Sequence, residues 1–336
     1  MSQRFCWLRV LVVAGVASAF ASTALAVNIE TVTVGNPGNP GDTRYPRGGV
    51  PSFGSVGYTY SIGKYEVTAG QYTEFLNAVA ATDTYGLYNT GMDTAVYSDA
   101  CNIKRTGSSG NYTYSVDSNW ASRPVSRVSW GDAARFANWL HNGQPTGPQG
   151  LSTTEDGSHF LNGATSAAAL VAVTRKANAT WVIPTEDEWY KAAYHKNDGV
   201  TRNYWDYPTR TNAVPNNGNP GGDTGNSGNF YDGDYTIGSP YWRTNVGFFG
   251  QSDSSYGTFD QGGNVDEWNE AVIDGPHRGW RGGNYANSAP VLRAAYGFGL
   301  DPMTEVPECG LRVSEVPEPA SIVMLALAGL GILRRR

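Results

Sequence analysis

Histidine and cysteine are the side chains most able to hold a metal ion or to attack a substrate, and few of either occur in this chain. The 336 residues include 4 histidines and 3 cysteines. No two histidines have the His-x-His or His-Glu-x-x-His spacing that brings two imidazoles to one metal ion. The sequence also has no Gly-x-Ser-x-Gly motif and no phosphate-binding loop. It therefore indicates no histidine metal centre, serine hydrolase or nucleotide site.

Residues 1–26 are typical of a secretory signal peptide. Arg4 and Arg9 supply positive charge, and an apolar stretch covers residues 8–20. The tripeptide Ala-Leu-Ala that ends at Ala26 matches the small-x-small pattern cut by signal peptidase. We therefore predict that signal peptidase removes residues 1–26 and that the protein is exported through the inner membrane.

Export would place the cysteines in an oxidising compartment, where disulfides form and persist. Cys6 would leave with the signal peptide, so Cys101 and Cys309 would remain. These two could form one disulfide or stay as two unpaired, buried thiols. Both alternatives stay open, because the geometry that a disulfide requires cannot be read from sequence.

The composition predicts a loop-rich domain with an aromatic core. Glycine occurs 42 times, aromatic residues make up 12% of the chain and charged residues 16%. The formal net charge of −6 and the lack of a basic cluster before the C-terminal arginines argue against a nucleic-acid partner. Because we find no repeat and no clean linker, we predict one domain over residues 55–314. A Gly/Pro-rich leading segment, residues 27–54, precedes it.

The elements that must position any site are predicted to be three early helices followed by short strands. Each helix begins at a Ser or Thr N-cap and has Gln, Asp or Glu three residues later. The side chains of both residues can accept hydrogen bonds from the free N–H groups at the start of the helix. The pairs are Thr68 with Gln71, Ser129 with Asp132, and Thr185 with Glu188. Beyond residue 198 only short strands and Gly-rich turns are predicted. This layout is that of an α+β fold.

The C-terminus combines a Pro-Glu-Pro motif, an apolar run and three arginines. As a helix, the apolar residues 321–333 would span roughly 20 Å, less than the ~30 Å hydrocarbon core of a bilayer. The arginines would hold the chain end on the cytoplasmic side. The motif residues are Pro317, Glu318 and Pro319, and the arginines are Arg334, Arg335 and Arg336.

In this order, these features resemble the PEP-CTERM sorting signal of Gram-negative bacteria, over residues 316–336. The resemblance implies processing by an exosortase-type membrane protease and delivery to the cell surface or the extracellular space. It also implies a link to exopolysaccharide and biofilm. The alternative is an ordinary C-terminal anchor.

Four ordered sets of motifs carry a second resemblance. They are Gly-Lys-Tyr-Glu-Val-Thr at 63–68, the segment 124–140, Ile-Pro-Thr-Glu-Asp-Glu-Trp at 183–189, and Gly-Asn-Val-Asp-Glu-Trp at 263–268 with its followers Arg-Gly-Gly-Asn at 281–284 and Gly-Leu-Arg at 310–312. Together they resemble the formylglycine-generating enzyme, or sulfatase-modifying factor, family. The resemblance implies a variant of the C-type-lectin-like fold with little regular secondary structure.

The resemblance also implies where an oxidase centre would lie. The oxidases of the family bind copper(I) between two cysteines shortly after the Arg-Gly-Gly motif, and soft thiolates suit that ion. The corresponding positions in this sequence are Asn287 and Leu292. We therefore expect neither copper nor oxidase chemistry.

Structural calcium is a further implication of the resemblance, because calcium takes six to eight hard oxygen ligands. The first implied set is Asp260 and Glu267 through their side chains, with Gly263 and Val265 through their carbonyls, and the second set is Asn229, Phe230 and Asp234. The alternative for the first set is a plain Asp/Gly turn beside a solvated glutamate.

Three functions remain open at this stage. The first is a non-catalytic surface or matrix protein with a binding or structural role. The second is a family enzyme with altered chemistry. The third is a glycan-binding module, for which the aromatic loops at 204–207 and 241–243 offer candidate rings.

Overall fold

The computed structural model describes residues 26–218 and 221–317. The predicted signal peptide, apart from Ala26, lies outside the described residues. Most of the predicted sorting signal does as well, including Glu318, Pro319 and the three C-terminal arginines. Within the described part of the chain, no helix is long and apolar enough to cross a membrane.

The described chain is mixed α and β, with short elements joined by long loops. The helices are α1 (Ala69–Val79), α2 (Ser118–Ala121), α3 (Trp130–His141), α4 (Ala167–Ala172) and α5 (Glu186–Tyr194), with 3-10 turns at Thr90–Met92 and Ala289–Leu292. The strands are β1 (Thr31–Val34), β2 (Tyr60–Gly63), β3 (Ile103–Thr106), β4 (Thr113–Val116), β5 (Trp181–Val182), β6 (Asp266–Ile273), β7 (His277–Arg281), β8 (Phe298–Leu300), β9 (Cys309–Gly310) and β10 (Ser314–Glu315). The predicted α+β class is confirmed.

The three predicted helix starts are also confirmed. Thr68, Ser129 and Thr185 are the N-caps of α1, α3 and α5, and each forms a two-way capping box with the residue three positions on. The sequence did not predict α2 and α4, which at four and six residues are too short to show a helical period.

One sheet joins the two ends of the described chain. Its strand order is β1-β2-β10-β5, and every neighbouring pair is antiparallel. The leading segment therefore supplies the edge strand β1, and the last strand before the sorting tail lies inside the sheet, between β2 and β5.

A second sheet, in the order β8-β7-β6-β9, positions the candidate site. Strands β7 and β8 are antiparallel to their neighbours, whereas β9 runs parallel to β6 and sets Cys309 opposite Asp266. Strands β3 and β4 form a separate hairpin.

The largest core cluster packs α1 against α3 through aromatic rings. Phe75 of α1 lies edge-on to Phe136 of α3 with ring centroids 5.3 Å apart, and Trp139 lies 5.2 Å from Phe75. All three side chains are buried, so the aromatic core expected from composition is present.

Cys101 and Cys309 are free, buried thiols, so a disulfide between them is not part of this structure. The two thiols have different neighbours. The Cys101 thiol lies 3.7 Å from the carbonyl oxygen of Ser126, whereas Cys309 is fixed by the pairing of β9 with β6.

Candidate functional site

A pocket of about 230 Å³ lies at the β8-β7-β6-β9 sheet, and we call it the sheet pocket. Strands β6, β7 and β8 and the residue before β9 supply part of its lining, and the loop after β7 supplies the rest. The polar lining residues are Asp266, Asn284, Asn287 and Glu308, and the aromatic ones are Trp280, Tyr296 and Phe298.

Strand pairing brings together the backbones of the two acidic residues of the pocket. The backbone N–H of Asp266 donates to the carbonyl oxygen of Glu308 at 2.8 Å, which fixes the start of β6 against the residue before β9. Asp266 is buried, while Glu308 is half-buried.

Asp266 is held by two hydrogen bonds from the loop that follows β7. The backbone N–H of Gly283 donates to Oδ1 at 2.8 Å, and the amide of Asn284 donates to Oδ2 at 2.6 Å. Burial, together with the negative charges of Glu308 and Glu267, raises the pKa of Asp266 to about 8. Asp266 is therefore mostly protonated at neutral pH and has a hydroxyl to donate.

The two positions predicted to correspond to the cysteines of the family's oxidases differ in their surroundings. Asn287 lines the sheet pocket, where its Oδ1 accepts a hydrogen bond from the backbone N–H of Asn284 at 3.1 Å. Leu292 is 1% exposed and packs in a small core cluster with Tyr207 and Phe230. One position thus faces the pocket and the other fills the core.

Cys101 and Cys309, the two cysteines among the described residues, are poorly suited to bind copper(I). Both lie in the main hydrophobic core. Burial raises the pKa of Cys309 well above its usual range, so the thiolate that copper(I) prefers is disfavoured there.

The first predicted calcium set centres on Glu267, whose carboxylate already has a cationic partner. Arg312 donates to it through Nε at 2.9 Å and Nη2 at 2.7 Å, and Trp189 donates through Nε1 at 2.6 Å. Glu267 and Arg312 are both fully buried. The guanidinium thus neutralises the carboxylate that was predicted to bind the metal.

Asp260, Gly263 and Val265 complete the first set. Asp260 accepts a hydrogen bond from the backbone N–H of Gly247 at 2.6 Å, and burial raises its pKa to about 6. Gly263 has a φ of +101°, and a Cβ there would lie 2.3 Å from the carbonyl oxygen of Asn229, so only glycine fits. Val265 is fully buried.

The second predicted calcium set is divided between the core and the surface. Asn229 is buried, and its Oδ1 has no hydrogen-bond partner, which leaves an acceptor that a cation could use. Phe230 is also buried, and its carbonyl oxygen accepts a weak hydrogen bond from Thr236 at 3.5 Å. Asp234 is exposed, and its carboxylate accepts a hydrogen bond from the N–H of Tyr235.

Among residues 26–218 and 221–317, no group of three or more His, Cys, Asp or Glu side chains is arranged to hold a metal ion. Each predicted calcium set relies partly on carbonyl or amide oxygens, which that finding does not cover. Calcium at either set stays a prediction.

The aromatic loops considered for glycan binding divide their rings between the core and the surface. Tyr204 and Tyr207 are 4% and 2% exposed, whereas Trp205, Tyr241 and Trp242 are half-buried. Glycan binding by these loops stays a prediction.

Sequence reasoning named Asn287 but not the acidic and aromatic residues that line the sheet pocket. Asp266 lies inside the quoted motif Gly-Asn-Val-Asp-Glu-Trp. A carboxyl group at the start of a buried strand is the feature of that motif that could have marked it as a site residue. Glu308 and Trp280 carried no such signal, because only the pairing of β6 with β7 and β9 brings them to Asp266.

The fold and the ordered motifs define the class of protein to which the chain belongs. Residues 35–316 match the sequence model of the sulfatase-modifying factor enzyme 1-like domain, and the chain is a member of that family. Residues 315–336 match the PEP-CTERM protein-sorting motif, so the chain is an exported protein with a sorting signal at its C-terminus.

Solved structures to which this chain is similar include three proteins of low sequence identity. CarF is 20% identical with a TM-score of 0.49, and the match covers 86% of this chain and 99% of that one. Treponema denticola variable protein 1 is 17% identical with a TM-score of 0.48, covering 85% and 95%. PvdO from Pseudomonas aeruginosa is 16% identical with a TM-score of 0.46, covering 86% and 92%. None of the curated proteins matches this chain.

Proposed function

We propose that this protein acts at the cell surface as a non-catalytic binding or structural protein. The observation that carries the proposal is the replacement of the family's thiol pair by Asn287 and Leu292. An amide and a buried aliphatic side chain cannot bind copper(I) as thiolates or pass electrons through sulfur. The sorting motif supports a role outside the inner membrane, and an exopolysaccharide or another glycan is the partner class that we propose.

Copper(I) binding tests this proposal without any assumption about substrate. The full chain, purified after export, is titrated with copper(I) in the presence of a chromophoric chelator. A family oxidase with both cysteines serves as the positive control. We expect the chelator to keep the metal in the presence of this protein and to lose it to the control. Transfer of one equivalent of copper to this protein would contradict the proposal.

A family enzyme with altered chemistry is the second candidate, and the carboxyl groups of the sheet pocket favour it. A protonated Asp266 beside Glu308 is a pair that could donate and accept protons. No Ser, Thr, Cys, Lys or His side chain lines the pocket, however, and no observation identifies a substrate bond. We therefore rank it below the binding role.

Structural calcium belongs to this proposal as a stabilising ligand of the domain. The Asp260 set supplies carboxylate and carbonyl oxygens, the donors that calcium prefers. Because Glu267 is also paired with Arg312, Asp260 is the better position to test. We expect calcium to raise the melting temperature of the protein and a chelator to lower it, with the difference lost in Asp260→Asn. If the melting curves with calcium and with chelator coincide, this site is excluded.

A further inference from the structure

We propose that the sheet pocket binds the ammonium group of a small organic cation, such as an amino sugar of the glycan partner, an inference that rests on the proposed binding role. The volume of about 230 Å³ is below the ~300–1,000 Å³ typical of drug-sized ligand sites, so a single ring or a short amine fits it better than a long ligand. The lining combines an acidic side with an aromatic side.

Glu308 gives the pocket a negative charge that the chain does not neutralise. It is half-buried, and among residues 26–218 and 221–317 no Lys or Arg lines the pocket and no ion pair involves Glu308. Arg243 donates to the carbonyl oxygen of the preceding residue, Pro307, at 3.1 Å, and to those of Asp99 and Ala100 at 2.7 Å. The guanidinium nearby is therefore engaged with the backbone and leaves the Glu308 carboxylate to a ligand.

The sign of the charge in the pocket does not depend on Asp266. The pocket has two negative charges when Asp266 is ionised and one, that of Glu308, when Asp266 is protonated. In both states an anion is repelled, and a neutral ligand leaves Glu308 without a counter-ion. A cation is therefore the ligand charge that the lining favours.

Two aromatic rings that meet nearly at a right angle line the pocket with this carboxylate. The ring centroids of Tyr296 and Phe298 are 5.7 Å apart, and the angle between their planes is 83°. Tyr296 is 42% exposed and Phe298 is half-buried, so a ligand can contact both. The faces of aromatic rings attract cations, and rings grouped in this way are typical of sites for organic ammonium ions.

The aromatic side favours an organic cation over a bare metal ion. Calcium takes six to eight oxygen ligands, whereas the rings supply mainly carbon surface. The two carboxylate oxygens of Asp266 already accept hydrogen bonds from Gly283 and Asn284. An organic ammonium ion carries apolar carbon atoms that can lie on the rings while its N–H groups donate to Glu308.

Calorimetry on the full exported chain with a matched pair of ligands tests the proposal. Methyl glucosaminide and methyl N-acetylglucosaminide share one ring, and at about pH 6 only the first carries a positive charge. We expect the glucosaminide to bind at least about tenfold more tightly than the acetylated sugar, and the difference to shrink as the salt concentration rises.

Butylammonium distinguishes the two sources of an ammonium group, because it carries the charge without a sugar ring. Binding as tight as that of the glucosaminide would support the proposal with a simple amine as the ligand. Weaker, saturable binding would support it with an amino sugar as the ligand.

Two substitutions separate the acidic side from the aromatic side. Glu308→Gln keeps the shape of the side chain and removes its charge, so it should weaken glucosaminide binding about tenfold and change binding of the acetylated sugar little. Tyr296→Ala removes the exposed ring and should also weaken glucosaminide binding. Glu315→Gln is the matched control, because it removes the same charge from an exposed residue outside the pocket.

Three results would overturn the proposal. They are no binding of either ammonium ligand, binding of the acetylated sugar as tight as that of the glucosaminide, and equal glucosaminide binding by the parent and by Glu308→Gln while melting curves show a folded variant. The first two are measured on the parent protein and do not require a variant to fold. The copper(I) titration judges the proposed function separately, so the two failures are distinguishable.

Discussion

Glu305 and Asp132 share a hydrogen bond at the N-terminus of α3, where burial disfavours the ionised form of both carboxyl groups. Burial, followed by the charge of Asp132, raises the pKa of Glu305 to about 8. The pKa of Asp132 is also raised, chiefly by burial. The amide of Asn89 donates to Oε2 of Glu305, so the protonated form has both an acceptor in Asp132 and a donor in Asn89.

Glu305 should therefore make the protein less stable as pH rises. In the unfolded chain glutamate has a pKa near ~4.3, so the unfolded state loses this proton at lower pH than the folded state does. The resulting stability is fully present below about pH 4 and lost as pH approaches about 8. Glu305→Gln cannot ionise, and its amide can still donate to Asp132. Between pH 5 and pH 8 the parent protein loses free energy of unfolding. We expect the substitution to make that loss smaller by at least ~1 kcal/mol.

Urea unfolding at pH 5 and pH 8 measures this difference. Glu315→Gln is the control, because Glu315 is exposed and should leave the pH dependence as it is in the parent protein. Equal losses of unfolding free energy in the parent and in Glu305→Gln would show that Glu305 does not retain its proton in the folded state.

At the scale of elements, the helix starts depend on a few local hydrogen bonds. At α1 the backbone N–H of Gln71 donates to Thr68 Oγ1 at 3.2 Å, and the backbone N–H of Thr68 donates to Gln71 Oε1 at 2.8 Å. Removing such a cap costs about 1 kcal/mol. Thr68→Ala should lower the free energy of unfolding by that amount, measured by urea denaturation. Thr68→Ser keeps the hydroxyl and should stay close to the parent, so equal losses in both variants would show that the cap is not responsible.

These local signals explain which elements the sequence could predict. A capping box involves residues three apart, so α1, α3 and α5 could be located from the sequence. The position of β10 between β2 and β5 could not, because it depends on pairings between residues more than 100 positions apart. The sheet pocket could not be predicted either, because Glu308 comes close to Asp266 only through the pairing of β9 with β6.

The first predicted calcium set also shows what the sequence could not predict about the site. The motif containing Asp266 and Glu267 indicated a functional carboxylate, and the structure places carboxyl groups there. The sequence did not reveal that Arg312, 45 residues further on, donates to Glu267 and neutralises it. Buried ion pairs of this kind are costly to break, so Glu267 has a structural role whether or not calcium binds nearby.

For the whole molecule, family membership and the sorting motif point in different directions. The family includes oxidases, but the sequence motifs predict Asn287 and Leu292 at the positions where those enzymes hold thiols. The sorting motif supports delivery of the domain beyond the inner membrane. The proposed binding role reconciles the two, because it needs the scaffold of the family without its redox centre.

The central claim is that this domain does not oxidise cysteine, and conversion of a cysteine peptide tests it most directly. The full chain, purified after export, is incubated with a sulfatase-derived cysteine peptide, copper and oxygen, and the peptide is followed by mass spectrometry. We expect formylglycine to stay at the level of the protein-free control while a thiol-containing family oxidase converts the peptide. Formylglycine formation above that level by this protein would contradict the account.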